Sequence, residues 1–209
     1  RVVHGLPNRA PEARLLGVAS DHEQNIYTMG IEPRERGLFV SRISQGATRE
    51  WGAQAEEPTG RRWPLLVPGP RGVWVLDENI AARIGQDGAL TEDRIEHGRP
   101  AVTAQIRPDG LLVIGGNASD PGQHGKFSQA ALWAYTPEGA LVFSHLTPPQ
   151  QGYSRLIELA VDEDNWVYTL QMLLPQVNAA DGLPGRGDPF DGQARLVLVV
   201  YDPDGREAF

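Results

Sequence analysis

Short apolar runs separated by tight polar turns recur along the whole chain. Residues 160–168 contain an apolar run, a polar turn and a second apolar run, and residues 18–27, 67–75 and 106–113 have the same form. Runs of this length, bounded by Asp, Asn, Pro and Gly, are typical of β-strands rather than helices. Each segment therefore predicts a β-hairpin, and their repetition predicts one supersecondary unit that is used several times.

A second turn completes each unit. Thr-Pro-Glu-Gly at 136–139 and Asp-Pro-Asp-Gly at 202–205 place Pro where a turn needs a fixed φ and Gly where it needs a positive φ, and residues 85–88 and 44–46 follow a similar pattern. We name the four strands of a unit a to d, with an a–b turn and a c–d turn. Four-stranded antiparallel units with a period of about 40 residues are typical of β-propeller blades.

The predicted fold class is all-β, a β-propeller with about four recognisable four-stranded blades. The blades are placed at about residues 15–51, 63–95, 101–146 and 156–209, in a single domain that spans residues 1–209. A β-sandwich built from similar hairpins is the alternative, although sandwiches rarely repeat one hairpin four times.

Two segments carry a family resemblance. Residues 161–168 look like the opening hairpin, and residues 200–205 like the closing turn, of blades in the NHL and SMP-30/gluconolactonase-like propellers. The resemblance implies a propeller fold of six or seven blades, and it implies no activity by itself. Four blades are few for a closed ring, so we expect either part of a larger propeller or closure by Val2 and Val3, which would complete the short final strand at 206–209.

The spacing within the units varies in one place. The stretch from the a–b turn to the c–d turn runs from residue 72 to 88 in the second unit but from residue 165 to 205 in the fourth, whereas the stretch between units is nearly constant. The extra residues fall in the b–c connections, at 117–129 and 175–193. Because up-and-down strands alternate in direction, these connections leave one face, and insertions gathered on one face of a repeat protein indicate the binding face.

An arginine precedes each a–b turn by a nearly constant distance. These residues are Arg14, Arg62, Arg99 and Arg155. Counted to the turn residues Asn25, Gly72, Gly110 and Asn165, Arg14 aligns with Arg99, and Arg62 with Arg155. We predict that the four guanidinium groups converge at the loop-bearing end of a central channel, where they would favour a small anionic ligand such as a carboxylate or phosphate. The alternative is that each arginine pairs with an acidic residue or carbonyl of the neighbouring blade.

Other candidate chemistry lies in the two insertions. His124 and Asn117, in or beside the first, are candidate ligand-binding residues at the channel mouth. Asp181, Asp188 and Asp191, in the glycine-rich second insertion, are weak candidates for Ca²⁺ ligands, because Ca²⁺ takes oxygen ligands from flexible loops.

The family resemblance adds a metal alternative. SMP-30-like lactonases hold a divalent metal in the channel on carboxylate and amide side chains, and the residues of this kind here are Glu158, Asn117 and Asn178. Arginines at the starts of the a strands depart from that pattern.

Composition excludes several classes of function. A net charge of −8 argues against a nucleic-acid partner, because phosphate binding needs a basic surface. The absence of cysteine excludes thiolate catalysis, disulfides and cysteine-ligated zinc. No apolar run approaches the roughly 20 residues that a membrane-spanning helix needs. The compartment stays open, with an extracytoplasmic location slightly favoured.

The function that these observations favour is a propeller module that binds or scaffolds a partner, either a protein or a small anionic ligand. The binding surface is the face that carries the long b–c loops, and no cofactor is expected. The alternative is a metal-dependent hydrolase or lactonase of the SMP-30-like type, with Ca²⁺ or another divalent metal at the channel. Whether the chain is an enzyme stays open.

Overall fold

The structure, a computed structural model, describes residues 14–21, 23–32, 37–44, 47–56, 64–77, 80–97, 101–119, 128–147, 153–174 and 194–208. The regular elements within these ranges are fifteen β-strands, and no helix lies among them. The chain divides into two compact units, Arg1–Arg94 and Ile95–Phe209, each described by itself below.

The strands form four antiparallel sheets in chain order. The first sheet contains β1 (Arg14–Ser20), β2 (Ile26–Glu32), β3 (Gly37–Ser44) and β4 (Ala47–Glu56). The second contains β5 (Leu65–Gly69), β6 (Gly72–Leu76), β7 (Ile80–Gly85) and β8 (Leu90–Glu96). The third contains β9 (Ala101–Ile106), β10 (Leu112–Ser119), β11 (Ser128–Tyr135) and β12 (Leu141–Leu146). The fourth contains β13 (Tyr153–Val161), β14 (Val167–Leu174) and β15 (Arg195–Tyr201).

Each sheet is an up-and-down meander in which every strand pairs with the next one in the chain. This is the topology of a propeller blade, and the all-β, four-blade fold class predicted from the repeat is confirmed. The predicted fourth strand of the last unit is reduced, in the described residues, to a single bridge between Tyr201 and Glu207. Val2 and Val3 lie outside the described residues, as do the predicted turn residues at 45–46.

Six of the described hairpin turns share one backbone geometry, whereas the turn between β5 and β6 is shorter, with Gly69 paired to Gly72. In six hairpins the first turn residue donates its N–H to the carbonyl four residues later, and its own carbonyl accepts from the residue three positions on. The first residues of these turns are Asp21, Gly85, Arg107, Thr136, Asp162 and Asp202. This pattern is a type I turn followed by a left-handed residue, a common way to close a hairpin.

The left-handed position corrects the alignment of the repeats. It is glycine in four of the six turns, whereas Gln24 has φ 63° and Asn165 has φ 68°. Gln24, and not Asn25, is therefore the equivalent of Asn165. With this alignment Arg14 corresponds to Arg155, whereas Arg99 is displaced by one residue from both. The predicted alignment of Arg14 with Arg99 is therefore wrong.

The a strands share a second local feature. Pairing in β1, β9 and β13 skips one residue each, namely Leu16, Val102 and Ile157. All three β-bulges stand at the same position relative to the turn that follows. Bulges increase the local twist of a strand and are structural features rather than defects. The repeated units therefore share this backbone irregularity, which the hydrophobic pattern alone does not reveal.

Each compact unit has its own core. In the first unit, Tyr27, Met29 and Val40 of the first sheet pack against Val73 and Ile84 of the second. In the second unit, Val113 and Leu132 of the third sheet pack against Leu159, Val167 and Tyr201 of the fourth.

Gly115 allows the close approach of the third and fourth sheets. A Cβ atom at that position would lie within 3 Å of side-chain carbons of both Leu156 and Leu159. Among the described residues, no helix is long and apolar enough to cross a membrane.

Candidate functional site

The strand ends of the second unit form two distinct edges. The loop edge comprises the ends of β10, β12 and β14 and the starts of β9, β11, β13 and β15, so it carries the b–c and d–a connections. The turn edge is the opposite one and carries the five-residue turns that begin at Arg107, Thr136, Asp162 and Asp202. Both long connections, at 120–127 and 175–194, thus join strands at the loop edge.

Side-chain hydrogen bonds join the third and fourth sheets near the loop edge. The Ala130 N–H donates to Ser154 Oγ at 2.7 Å, and Thr147 Oγ1 donates to Gln171 Oε1 at 3.0 Å. The Leu156 N–H donates to Asn117 Oδ1 at 2.9 Å. These bonds satisfy backbone and side-chain groups that would otherwise be buried without partners, and they hold the two sheets in one register at this edge.

The turn edge is joined by a second set of bonds. Arg107 is buried, and its Nη1 donates to the Pro203 carbonyl at 2.8 Å while its guanidinium pairs with Asp109. The Asp109 N–H donates to Asn165 Oδ1 at 3.1 Å. A buried arginine with a carboxylate partner and a carbonyl acceptor is a structural group, because its charge is compensated in place.

Two turns carry the same aspartate–tyrosine pair, one in each compact unit. Asp21 accepts from the backbone N–H groups of Glu23 and Asn25 and, through Oδ2, from the Asn25 amide and the Tyr27 hydroxyl. Asp162 accepts from the N–H groups of Asp164 and Trp166 and from the Tyr168 hydroxyl at 2.8 Å.

These bonds shift the pKa values of all four groups. Burial alone would raise the pKa of Asp21, but the bonds from Asn25, Tyr27 and Glu23 outweigh it and hold that pKa below its usual value. The pKa of Asp162 is lowered in the same way, with the Tyr168 bond as the largest lowering cause. Burial, reinforced by Asp21, raises the pKa of Tyr27 to about 12, and the bond to Asp162 raises that of Tyr168.

His145 is a packed residue rather than an accessible base. Its ring lies edge-on to Tyr201 at 4.9 Å between centroids, and its Nε2 is 3.5 Å from a Glu207 carboxylate oxygen. Burial lowers the pKa of His145, and the effect of Glu207 only partly opposes it.

Among the described residues of the second unit, charges are segregated between the two edges. Its described turns hold a series of acidic residues: Asp109, Glu138, Asp162, Glu163, Asp164, Asp202 and Asp204. The arginines at this edge are paired, Arg107 with Asp109 and Arg206 with Asp204. At the loop edge, Arg155 near the start of β13 and Arg195 at the start of β15 are both exposed. Within the described ranges neither has a carboxylate partner.

Two of the four predicted arginines, Arg14 and Arg155, lie among the described residues. Arg155 is exposed at the loop edge, and Arg14 begins β1, where it pairs in register with Ile31. Arg62, Arg99, His124, Asp181, Asp188 and Asp191 lie outside the described residues. Convergence of the four arginines stays a prediction.

Two of the predicted polar residues, Asn117 and Glu158, lie among the described residues. Each makes a hydrogen bond between the third and fourth sheets. Asn117 is half-buried and uses its side-chain oxygen to accept from Leu156. Glu158 is exposed, and its Oε1 accepts from Thr103 Oγ1 at 2.6 Å. Asn178 lies outside the described residues, and in the described part of the chain no three His, Asp or Glu side chains come together as a metal site.

Sequence reasoning missed Arg195. It stands directly before the apolar run of β15, with only Ala194 between it and the second insertion, just as Arg155 precedes the apolar run of β13. A search for basic residues flanking the insertions, rather than at a fixed distance before a turn, finds it.

Comparison with known proteins finds neither a family model nor a curated protein that matches this chain. Solved structures that resemble it include the WD40 domain of Pan2 from Neurospora crassa, at 11% identity and a TM-score of 0.40, over 94% of this chain and 65% of that one. Another is the extracellular domain of a protein described as a one-component system from B. thetaiotaomicron, at 10% identity and a TM-score of 0.29, over 96% and 35%. The chain spans less than two thirds of the length of either structure.

Proposed function

We propose that this chain is a propeller-type binding module whose ligand surface is the loop edge of the second unit. The ligand carries carboxylates, either as a small organic anion or as an acidic segment of a protein. The blades are of the type found in the NHL and SMP-30-like propellers, used here for binding rather than for catalysis.

The observation that carries the proposal is the segregation of charge among the described residues of the second unit. The turn edge has many carboxylates and its arginines are paired with them, whereas Arg155 and Arg195 at the loop edge are exposed and have no described carboxylate partner. Arginine binds carboxylates bidentately. Arg155 pairs in register with Met172 and Arg195 with Leu173, so the two side chains leave opposite faces of the fourth sheet and each offers a separate guanidinium group at the loop edge.

The structural uses of the other polar groups also support a binding role. Asp21 and Asp162 cap their own turns, and Asn117 and Glu158 bond between sheets. These groups hold the described strands together, so that the exposed side chains at their ends are presented in a fixed geometry.

Calorimetric titration of the whole chain tests the proposal. The probes are citrate, as a small tricarboxylate, and a hexaglutamate peptide, as an acidic protein segment. Saturable binding of one of them to the wild type, weakened at least 10-fold in the double variant Arg155→Ala/Arg195→Ala, supports the proposal. The probe that binds more tightly identifies the source of the carboxylates.

Arg206→Ala is the matched control, because Arg206 is also exposed but lies at the turn edge beside Asp204. It should bind like the wild type. Equal weakening in the control, or no binding of either probe, overturns the proposal. Metal analysis of protein purified without chelator provides a separate readout, since a stoichiometric divalent metal favours the hydrolase alternative instead.

A further inference from the structure

The bulge in β13 brings two opposite charges onto one face of the fourth sheet. Arg155 and Glu158 are three residues apart, a spacing that in a regular strand places side chains on opposite faces. Because the pairing skips Ile157, Arg155 is in register with Met172 and Glu158 with Leu170, two residues that share a face of β14. The two charged residues are therefore neighbours, with Cα atoms roughly 7 Å apart, about two strand rises. We term them the dipolar pair.

The dipolar pair is not part of the repeated scaffold. The bulge recurs at the same position in β1 and β9, but the charges do not. The residues equivalent in sequence to Arg155 and Glu158 are Arg14 and Gly17 in the first sheet, and Pro100 and Thr103 in the third. Of these three sheets, the fourth is thus the one with a cation and an anion at the two positions, so a shared structural need does not explain them.

The two charges are held apart and each is available. Both side chains are exposed, and among the described residues no ion pair joins them to each other or to a third group. Glu158 has a fixed orientation, because its Oε1 accepts from Thr103 Oγ1 at 2.6 Å and from the Leu159 N–H at 3.1 Å. Its Oε2 accepts from no described group, so this oxygen is presented to a ligand in a defined direction.

The rest of this face is apolar. Met172 and Leu170 are half-buried and pair across β14 with Leu196 and Leu198, which are 66% and 61% exposed. A ligand that bridges the two charges therefore lies beside apolar surface that suits a carbon chain. A second sheet packed on this face would instead bury an arginine and a glutamate, which is costly unless each charge gains a partner.

We infer that the dipolar pair binds an ampholyte, a ligand whose carboxylate pairs with Arg155 and whose ammonium group pairs with Glu158. The inference rests on the proposed function, because it takes carboxylate binding by Arg155 as given and narrows the class of ligand. Arg195 leaves the opposite face and takes no part. The ampholyte is either a free aminocarboxylic acid or an extended peptide with an acid and a base two residues apart, since such side chains share a face at about the spacing of the pair.

Glu158→Gln tests the inference with little structural change, because glutamine keeps the side-chain oxygen that accepts from Thr103 and Leu159 and loses only the charge. The probes are matched pairs: 6-aminohexanoate with hexanoate, and the blocked peptides acetyl-Glu-Ser-Lys-amide with acetyl-Glu-Ser-Gln-amide. Affinities for the whole chain are measured by NMR chemical-shift titration. The matched pair that responds identifies the source of the ampholyte.

The expected result is a change of opposite sign within one matched pair. Glu158→Gln should weaken binding of the ammonium-bearing probe about threefold, because an attraction is lost, and strengthen binding of its plain anion, because a repulsion is lost. Arg155→Ala should weaken both. Glu163→Gln is the control, since it removes the same charge from an exposed residue at the turn edge, and it should leave both affinities unchanged.

Two results overturn the inference: in wild type the ammonium-bearing probes bind no more tightly than their matched anions, or Glu158→Gln changes both affinities in the same direction. If citrate and hexaglutamate bind and depend on the two arginines, these results remove the inference and leave the proposed function standing. If no carboxylate probe binds at all, both fail.

Discussion

The first and fourth sheets have nearly the same local structure but a different relationship to their neighbours. Both open with an Asp-capped turn, a left-handed non-glycine residue, a β-bulge and a tyrosine that donates to the aspartate. Yet Leu159 is buried and its counterpart Val18 is exposed. The comparison shows that short-range sequence determines the hairpin, whereas the neighbouring sheet determines which of its faces becomes core.

The largest expected difference is between truncations at these two equivalent positions. Leu159→Ala should lower the free energy of unfolding by about 2–5 kcal/mol, because it removes buried methyl groups and leaves a cavity between two sheets. Val18→Ala should change it by at most about 0.5 kcal/mol in dilute protein, because the side chain is already in water. Urea unfolding followed by tryptophan fluorescence gives both values.

A cost for Val18→Ala as large as that of Leu159→Ala contradicts this comparison, because it shows that Val18 also loses packing contacts on truncation.

A smaller difference is expected between the capping aspartates. Asp21→Asn should cost about 1 kcal/mol at neutral pH, because Oδ2 of Asp21 accepts from two side-chain donors and an amide nitrogen at that position cannot accept at all. Asp162→Asn should act in the same direction but less strongly, since Oδ2 of Asp162 accepts only from Tyr168 among the described side chains.

The pH dependence has a definite sign for both aspartates. Their folded pKa values are lowered, so the stabilisation is fully present above the unfolded pKa of about 3.9 and is lost as pH falls through the folded pKa. The gap between wild type and either Asn variant should therefore narrow between pH 5 and the most acid conditions, about pH 2, in acid-unfolding curves. A gap that is constant with pH shows that the carboxylate charge does not matter.

The smallest expected effect is at the left-handed residues. Gln24→Gly should raise the free energy of unfolding by about 0.5 kcal/mol, because glycine adopts φ near +60° without steric cost. Asn165→Gly should give no gain, since it removes the acceptor for the Asp109 N–H. Thermal unfolding of both variants checks this, and an equal gain at the two positions indicates that the Asn165 bond contributes nothing.

Much of the fold could be predicted from the sequence because its signals are local. A turn such as Thr136-Pro137-Glu138-Gly139 contains in four residues the fixed φ and the positive φ that the hairpin requires, and the structure has that turn. The third unit was located at 101–146, and β9 to β12 run from Ala101 to Leu146. By contrast, aligning the repeats by Asn25 failed by one residue, because the left-handed position is held by Gln24, which has no sequence signature for it.

The candidate site was less predictable. The two insertions lie in b–c connections, as predicted from their length. The predicted bounds of the first, 117–129, were too wide, because residues 117–119 belong to β10 and residues 128–129 to β11. The partners of the polar residues were not, because Asn117 with Leu156 and Arg107 with Pro203 join segments far apart in the chain. The paired and unpaired arginines therefore look alike in the sequence.

By itself the sequence determined that this protein is built from repeated β-hairpins with long connections on one side, because strand alternation and turn chemistry depend on a few consecutive residues. Only the tertiary structure decided which carboxylates cap turns, which arginines stay exposed at the loop edge and which apolar side chains are buried. Those properties depend on what lies on the other side of each sheet. Val18 and Leu159 occupy equivalent positions before similar turns, yet Leu159 is buried and Val18 is exposed, because a neighbouring sheet packs on Leu159.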